Sequence, residues 1–281
     1  MSKSNPSYKD LAIPYVKEVF KIIDGLLKKK NIPYYLIGAN AISLEMLKKG
    51  IKPARATRDI DFAIMVSTLE EYEGIAAAIQ EKGFKKLEAA WRFYHEKFDI
   101  KIDLLPFGEI EESGTIGFND RTTDLHVLGF KEVLEDAKEI NLGEIKVRIP
   151  PLAGMILLKL VAWSDRPEIR NNDLYDILQI IEHYNDIEFE KNTKQHFDAI
   201  PENEEFDEVR FSARILGREV REYLDKSAEL SERIMSVLDE NTVNPEGSPI
   251  ARNWARKKGW TLVYCVQLLK DFKTGIEEGE K

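Results

Sequence analysis

The chain has 281 residues, 43% of them hydrophobic, and carries 41 Lys and Arg against 50 Asp and Glu, a formal charge of -9. That length buries a substantial core and predicts two domains, 1–150 and 151–281, while the acidic balance excludes a broadly basic surface that coats nucleic acid and leaves room only for a local basic patch. The single Cys265, inside Leu262-Val263-Tyr264-Cys265-Val266, excludes an intrachain disulfide framework and reads as a buried structural thiol in a reducing compartment.

In chain order, an amphipathic helix is expected from Tyr8 to Lys29, with Leu11, Tyr15, Val19, Ile22, Ile23 and Leu26 at helical spacing before the Asn31-Ile32-Pro33 break. It is expected to pack on the domain that follows. No secretory leader pattern stands near the start and no apolar run approaches the ~18 residues of a spanning segment, so a cytoplasmic protein without a membrane partner is expected. A buried strand, 34–37, runs through Gly38 into a helix, 39–49. A glycine turn at a helix N-terminus exposes backbone N–H groups that hold phosphate.

The run Arg55-Ala56-Thr57-Arg58-Asp59-Ile60-Asp61-Phe62-Ala63-Ile64 opens the next strand, 59–66. Successive strand side chains alternate faces, so Asp59 and Asp61 share a side while Ile60, Phe62, Ile64 and Val66 face a core. Like charges held side by side repel, and their usual companion is a divalent cation. Asp-x-Asp by itself is common on solvated strands, and the surrounding sequence decides its meaning. A helix follows over 69–82, capped by Ser67 or Thr68, then strand pairs over 84–107. Within them, Phe98 to Pro106 alternates polar and apolar residues and delivers a third carboxylate, Asp103, on a neighbouring strand. Gly108 to Asp124 reads as a linker whose Glu109, Glu111 and Glu112 form a solvated acidic loop.

A hairpin, Ala137 to Ile149, is expected to turn near Asn141-Leu142-Gly143 and to lead through Pro150-Pro151 into a helix bearing Lys159. The neighbours Met155, Ile156, Leu158 and Leu160 are apolar, so this ammonium needs an anionic partner or must reach the surface. Asp173 and Asp176 lie three apart on a helix and share a face. Asp173 is placed equally well in a site or near a helix start, where the dipole favours it; Asp176 reads as a partner for Arg166 or Lys159. Beyond Tyr184 helices are expected over 204–225, 227–239 and 248–273. Trp163, Trp254 and Trp260 read as core or interface aromatics, although Trp254 amid Arg252, Arg256, Lys257 and Lys258 forms the one basic-aromatic patch. His95, His126, His183 and His196 lack zinc-ligand spacing, and neither a P-loop nor a serine elbow is present.

A glycine turn, then Asp-x-Asp on a strand, then an Asp on a later strand resembles the nucleotidyltransferase superfamily related to DNA polymerase beta. The block Leu157-Leu158-Lys159-Leu160-Val161-Ala162-Trp163-Ser164-Asp165-Arg166, followed by Asp173-Leu174-Tyr175-Asp176, narrows the resemblance to the nucleotidyltransferase-like toxins of abortive-infection, type IV toxin-antitoxin systems. It spans roughly residues 33 to 183. The resemblance implies an α/β nucleotidyltransferase fold, a mixed sheet with flanking helices, followed by a mainly helical C-terminal domain. It also implies an enzyme that moves a nucleoside monophosphate from an NTP to an acceptor hydroxyl, with Mg²⁺ or Mn²⁺ held by Asp59, Asp61 and Asp103. Gly38, Ala39 and Asn40 would offer backbone donors to the β- and γ-phosphates, Thr57 and Arg58 would adjoin them, and Lys159 would meet the triphosphate. Arg166 would pair with phosphate or Asp173, and Asp173 and Asp176 would belong to the same site. By resemblance the acceptor is the 3′ end of tRNA, with growth inhibition as outcome and a cognate antitoxin as partner; a small-molecule acceptor, as in aminoglycoside-modifying relatives, would use the same metal site. One departure stands out: the usual Gly-Gly or Gly-Ser is Gly38-Ala39. The lost hydroxyl keeps open a module that binds NTP without transferring it.

Overall fold

The computed structural model describes residues 11, 13–53, 57–118, 124–200 and 205–278. Its Cα packing divides the chain into two compact units, Met1–Pro151 and Leu152–Lys281.

In the first unit, helix α1 (Val16–Lys29) starts after Tyr15, which is held at φ 58°, and buries Phe20, Ile23 and Leu27 along one stripe. This start is later than the expected Tyr8, which lies outside the described residues. The fully buried β1 (Tyr34–Ile37) runs into α2 (Gly38–Lys48), and β2 (Asp59–Met65) follows. Of the run that opens β2, Arg55 and Ala56 lie outside the described residues. Helix α3 (Leu69–Gln80) is capped by Thr68, whose Oγ1 accepts from the Glu71 N–H at 3.1 Å. Strands β3 (Phe84–Lys86), β4 (Arg92–His95) and β5 (Ile100–Phe107) come next.

The segment expected as a solvated linker is more ordered than that, apart from residues 119–123, which lie outside the described residues. Short β6 (Thr115–Ile116) pairs antiparallel with β7 (Leu125–His126). Glu111 is a loop anion but not a solvated one: its side chain, 7% exposed, pairs with Lys131 at 3.0 Å and accepts from the Gly108 N–H at 3.1 Å. Burial of a loop carboxylate is tolerated because both partners satisfy it. A short helix, α4 (Phe130–Leu134), precedes the hairpin β8 (Lys138–Leu142) and β9 (Ile145–Ile149), whose turn holds Gly143 at φ 61°.

Seven strands form one mixed sheet in the order β3-β4-β5-β2-β1-β9-β8. The central pair β2 and β5 is parallel, and β1 lies antiparallel to β2. Ile60, Phe62, Ile64, Phe93, Ile102 and Leu104 form a fully buried face. Phe20 of α1 meets Phe62 edge-on at 5.3 Å, and the Tyr72 hydroxyl of α3 donates to the backbone oxygens of Ala90 and Leu104. Helices α1 and α3 thus cover the apolar face, and the period-2 alternation sends the carboxylates to the other.

The second unit is helical: α5 (Leu152–Asp165), α6 (Asn171–Gln195), α7 (Glu208–Leu224), α8 (Ala228–Thr242), α9 (Pro249–Lys258) and α10 (Leu262–Glu278). Side-chain caps start α7, α8 and α9, with Asp207, Ser227 and Ser248 each accepting from backbone N–H groups of the first turn. The helix expected over 248–273 is two helices, because Gly259 at φ 71° closes α9 in the left-handed region and Thr261 caps the next start. A mixed sheet with flanking helices followed by a helical unit is the fold class expected. No helix among the described residues is long and apolar enough to cross a membrane.

Candidate active site

In the first unit the polar face of the sheet gathers the predicted carboxylates by strand register. Asp61 on β2 lies directly opposite Asp103 on β5, and Asp103 lies opposite Arg92 on β4. Two residues along, on the same face, Asp59 lies opposite Lys101, which lies opposite Tyr94. Arg92 grips Asp103 with two parallel hydrogen bonds, Nε to Oδ1 at 2.7 Å and Nη2 to Oδ2 at 2.6 Å. The hydrogen bond to Asp103 raises the guanidinium pKa above its ordinary value against the cost of burial, with further attraction from Asp103, Asp59 and Asp61. Arg92 therefore stands in the field of all three carboxylates.

Gly38 sits at the end of β1, at φ 69°, and a Cβ built on it would fall 2.2 Å from Asp61 Oδ2. Only a residue without a side chain lets this carboxylate lie over the start of α2, whose N-terminus carries no side-chain cap. Asn40, buried, donates from Nδ2 to the Asp59 backbone oxygen at 2.8 Å and so ties α2 to β2. The Ala39 carbonyl accepts from the Ser43 hydroxyl at 2.8 Å. Thr57 lies next to the Asp59 N–H, with Oγ1 accepting at 3.3 Å. Arg58 points to solvent and pairs with Asp99 at 3.1 Å.

Asp59 and Asp61 offer hard oxygen donors on one face of a strand, a donor set whose chemistry fits a divalent cation. The third carboxylate is committed elsewhere. Among the described residues no three His, Cys, Asp or Glu side chains converge as a ligand cluster.

The second unit carries its own charged centre. Lys159 on α5 is 7% exposed, and its Nζ reaches Asp173 Oδ1 at 2.8 Å and Asp176 Oδ2 at 2.7 Å on the first turns of α6. Burial pulls the ammonium pKa down, but the two aspartates outweigh it and hold it above the ordinary value. For Asp173 burial pushes upward, and Lys159 and Arg170 together bring the carboxyl below its usual range. Of the two partners read for Arg166, phosphate or Asp173, the second is taken by Arg170, at 3.2 Å, because Arg170 immediately precedes the first turn of α6 while Arg166 follows the end of α5. Trp254, 1% exposed, donates its indole N–H to the Leu174 oxygen and is a core residue. The aromatic beside the basic residues of α9 is Tyr175, with Lys257 over its ring at 5.1 Å.

Sequence reasoning missed Arg92 and Lys101. Each occupies the polar phase of an alternating strand, but only the pairing register reveals which carboxylate it faces.

The sequence profile of the family described as nucleotidyl transferase AbiEii toxin, type IV TA system, matches residues 29–240. No curated protein matches the chain. Among solved structures, an antigenic nucleotidyltransferase-like protein from Paracoccidioides brasiliensis is similar at 15% identity, with 83% of this chain and 95% of that chain covered and a TM-score of 0.40. The antibiotic-resistance factor ANT(2'')-Ia is similar at 14% identity, with 79% and 97% covered and a TM-score of 0.39. JHP933 from Helicobacter pylori is similar at 14% identity, with 98% and 96% covered and a TM-score of 0.37.

Proposed function

We propose, from the premise that the chain belongs to the nucleotidyl transferase AbiEii toxin family of type IV toxin-antitoxin systems, that it moves a nucleoside monophosphate from an NTP to an acceptor hydroxyl at the polar face of the sheet. The observation that carries this reading is Asp59 and Asp61 on one strand face, with Asp61 lying over the side-chain-free Gly38 at the start of α2. In the reaction a bond forms between the acceptor oxygen and the α-phosphorus, the bond from that phosphorus to the β-phosphate bridge breaks, and pyrophosphate leaves with its electron pair. A bound Mg²⁺ or Mn²⁺ would neutralise phosphate charge and orient the α-phosphate.

Asp59 and Asp61 supply its carboxylate ligands, and their rigid strand fixes the spacing between them. Gly38, Ala39 and Asn40 aim backbone N–H groups of the α2 N-terminus at the β- and γ-phosphates, and Thr57 and Arg58 border that position. Asp103 stands next in the row, as a further ligand or as acceptor of the hydroxyl proton. The family motif also carries Lys159, Arg166, Asp173 and Asp176; within the second unit the Lys159 ammonium is balanced by Asp173 and Asp176. The acceptor we assign is the 3′ end of tRNA, in the cytoplasm, with a cognate antitoxin relieving growth inhibition.

The test is incubation of the protein with Mg²⁺, each labelled NTP in turn and total RNA, beside a parallel set with aminoglycosides. Label in the tRNA band, lost by orders of magnitude in a folded Asp61→Asn variant, is the expected result. Label on the aminoglycoside alone would move the acceptor to small molecules, and undiminished transfer by Asp61→Asn would remove the carboxylates from the reaction.

A further inference from the structure

Arg92 does something that a general surface arginine does not. It takes both oxygens of Asp103 in a planar fork, at 2.7 and 2.6 Å, from the strand directly opposite. The Asp103 side chain is 9% exposed and that of Arg92 40%, so the carboxylate is nearly sealed while the guanidinium keeps a route to solvent. On its other side Asp103 adjoins Asp61 in register. A cation at Asp59 and Asp61 and the guanidinium of Arg92 therefore compete for the same carboxylate, since both want its oxygens and each repels the other.

We propose that Arg92 is a positioning residue that withholds Asp103 from the divalent cation in the nucleotide-free protein. The cation then rests on Asp59 and Asp61 alone and is held weakly. Asp103 joins the reacting centre when an incoming anion draws the guanidinium away, and the triphosphate is an anion of the right class, with three oxygens per terminal phosphate to accept a bidentate fork. Loading with the cation alone is thereby disfavoured, and loading with the cation and triphosphate together is favoured. No covalent or redox step is involved.

This inference rests on the cation reading of Asp59 and Asp61, and the test separates the two. Mn²⁺ binding to the nucleotide-free full-length chain is measured by calorimetry and by electron paramagnetic resonance for wild type, Arg92→Gln, Arg92→Lys, Asp103→Asn, Asp61→Asn and the double variant Arg92→Gln/Asp103→Asn. Release of Asp103 adds a third carboxylate to the site, so Arg92→Gln is expected to tighten Mn²⁺ by about tenfold or more. In the Asp103→Asn background the same substitution is expected to change affinity by about threefold or less, because only the longer-range repulsion by the guanidinium remains. Arg92→Lys, which keeps the charge and gives up the fork, is expected to fall between wild type and Arg92→Gln, and it guards against misfolding of the Gln variant. Equal Mn²⁺ affinity in wild type and both folded Arg92 variants, with binding lost in Asp61→Asn, would overturn this inference and leave the cation reading intact. Tightening of the same size with and without Asp103 would also overturn it, since Arg92 would then act by charge alone. Absence of Mn²⁺ binding in every variant would overturn the cation reading and this inference with it.

Discussion

At the scale of single residues, Gly38 and Lys159 show two ways in which a backbone commits charge. Gly38 combines a φ of 69° with a Cβ position 2.2 Å from Asp61 Oδ2. Gly38→Ala must pay for the left-handed backbone, about 1–2 kcal/mol, and must also push the carboxylate off the start of α2. Urea denaturation should show that loss of stability, while Mn²⁺ affinity should fall with it; a variant of full stability and unchanged affinity would show that the contact does not matter. The Lys159 centre makes a prediction in pH. Asp173 is held below its ordinary value of 3.8, so its contribution to stability is fully present above that value and is lost as pH falls through the lower, folded one. Lys159 is held above its ordinary 10.5, so its contribution is present below that value and is lost only at higher pH. The destabilisation by Asp173→Asn, followed by thermal melting, should therefore be constant from about pH 5 to about pH 10 and shrink below about pH 4. A penalty that varied through neutral pH would place a different titration at this centre. The shared face of Asp173 and Asp176 was legible in the sequence, because i, i+3 spacing is local, and Lys159 was one of two partners read for Asp176; its pairing with Asp173 was not read. Arg170 and Arg92 were not legible, since their partners are decided by where a loop ends and how strands register.

At the scale of elements, period-2 and period-3.6 patterns carried β1, β2, α2, α3 and the β8–β9 hairpin to within a residue or two of their observed bounds. The errors fell where one residue overrides a pattern. Gly259 splits the long C-terminal helix, and Tyr15 in the left-handed region delays α1. The acidic look of 108–124 concealed a strand pair and a buried Glu111, because charge density reports solvation only when no partner is supplied. A tight helix crossing in the second unit was equally invisible. A Cβ on Gly217 of α7 would meet the Phe272 oxygen at 2.0 Å, and one on Gly275 of α10 would meet the Arg214 oxygen at 2.0 Å. Both obstacles are backbone, so the helices themselves must separate, and the arginine pairs beside them, Arg210 with Asp271 and Arg218 with Glu278, would be stretched. Gly217→Ala or Gly275→Ala should cost about 2–4 kcal/mol despite the higher helix propensity of alanine, which by itself would favour the variant by about 1 kcal/mol. Chemical denaturation that finds either variant as stable as wild type would refute the close crossing.

At the scale of the whole molecule, the formal charge of -9 constrains how a polyanionic acceptor is met. A protein that neutralises many phosphates gains affinity from released counterions and binds duplex DNA and RNA alike. This chain has 41 cationic residues against 50 anionic ones, and many of the cations are spent on internal partners, as with Arg210, Arg214, Arg218 and Lys159. Charge attraction to a uniform phosphate backbone is correspondingly small, so the proposed tRNA acceptor would be selected through its single-stranded end and the reacting hydroxyl. Competition tests this directly. Unlabelled tRNA should suppress labelling of tRNA, whereas duplex DNA at the same phosphate concentration should leave it nearly unchanged, and raising salt from 50 to 200 mM should weaken transfer far less than the roughly 10³-fold or greater loss typical of proteins that make many phosphate contacts. Suppression by duplex DNA equal to that by tRNA would mean that a basic surface strong enough to override the net charge does the recognition.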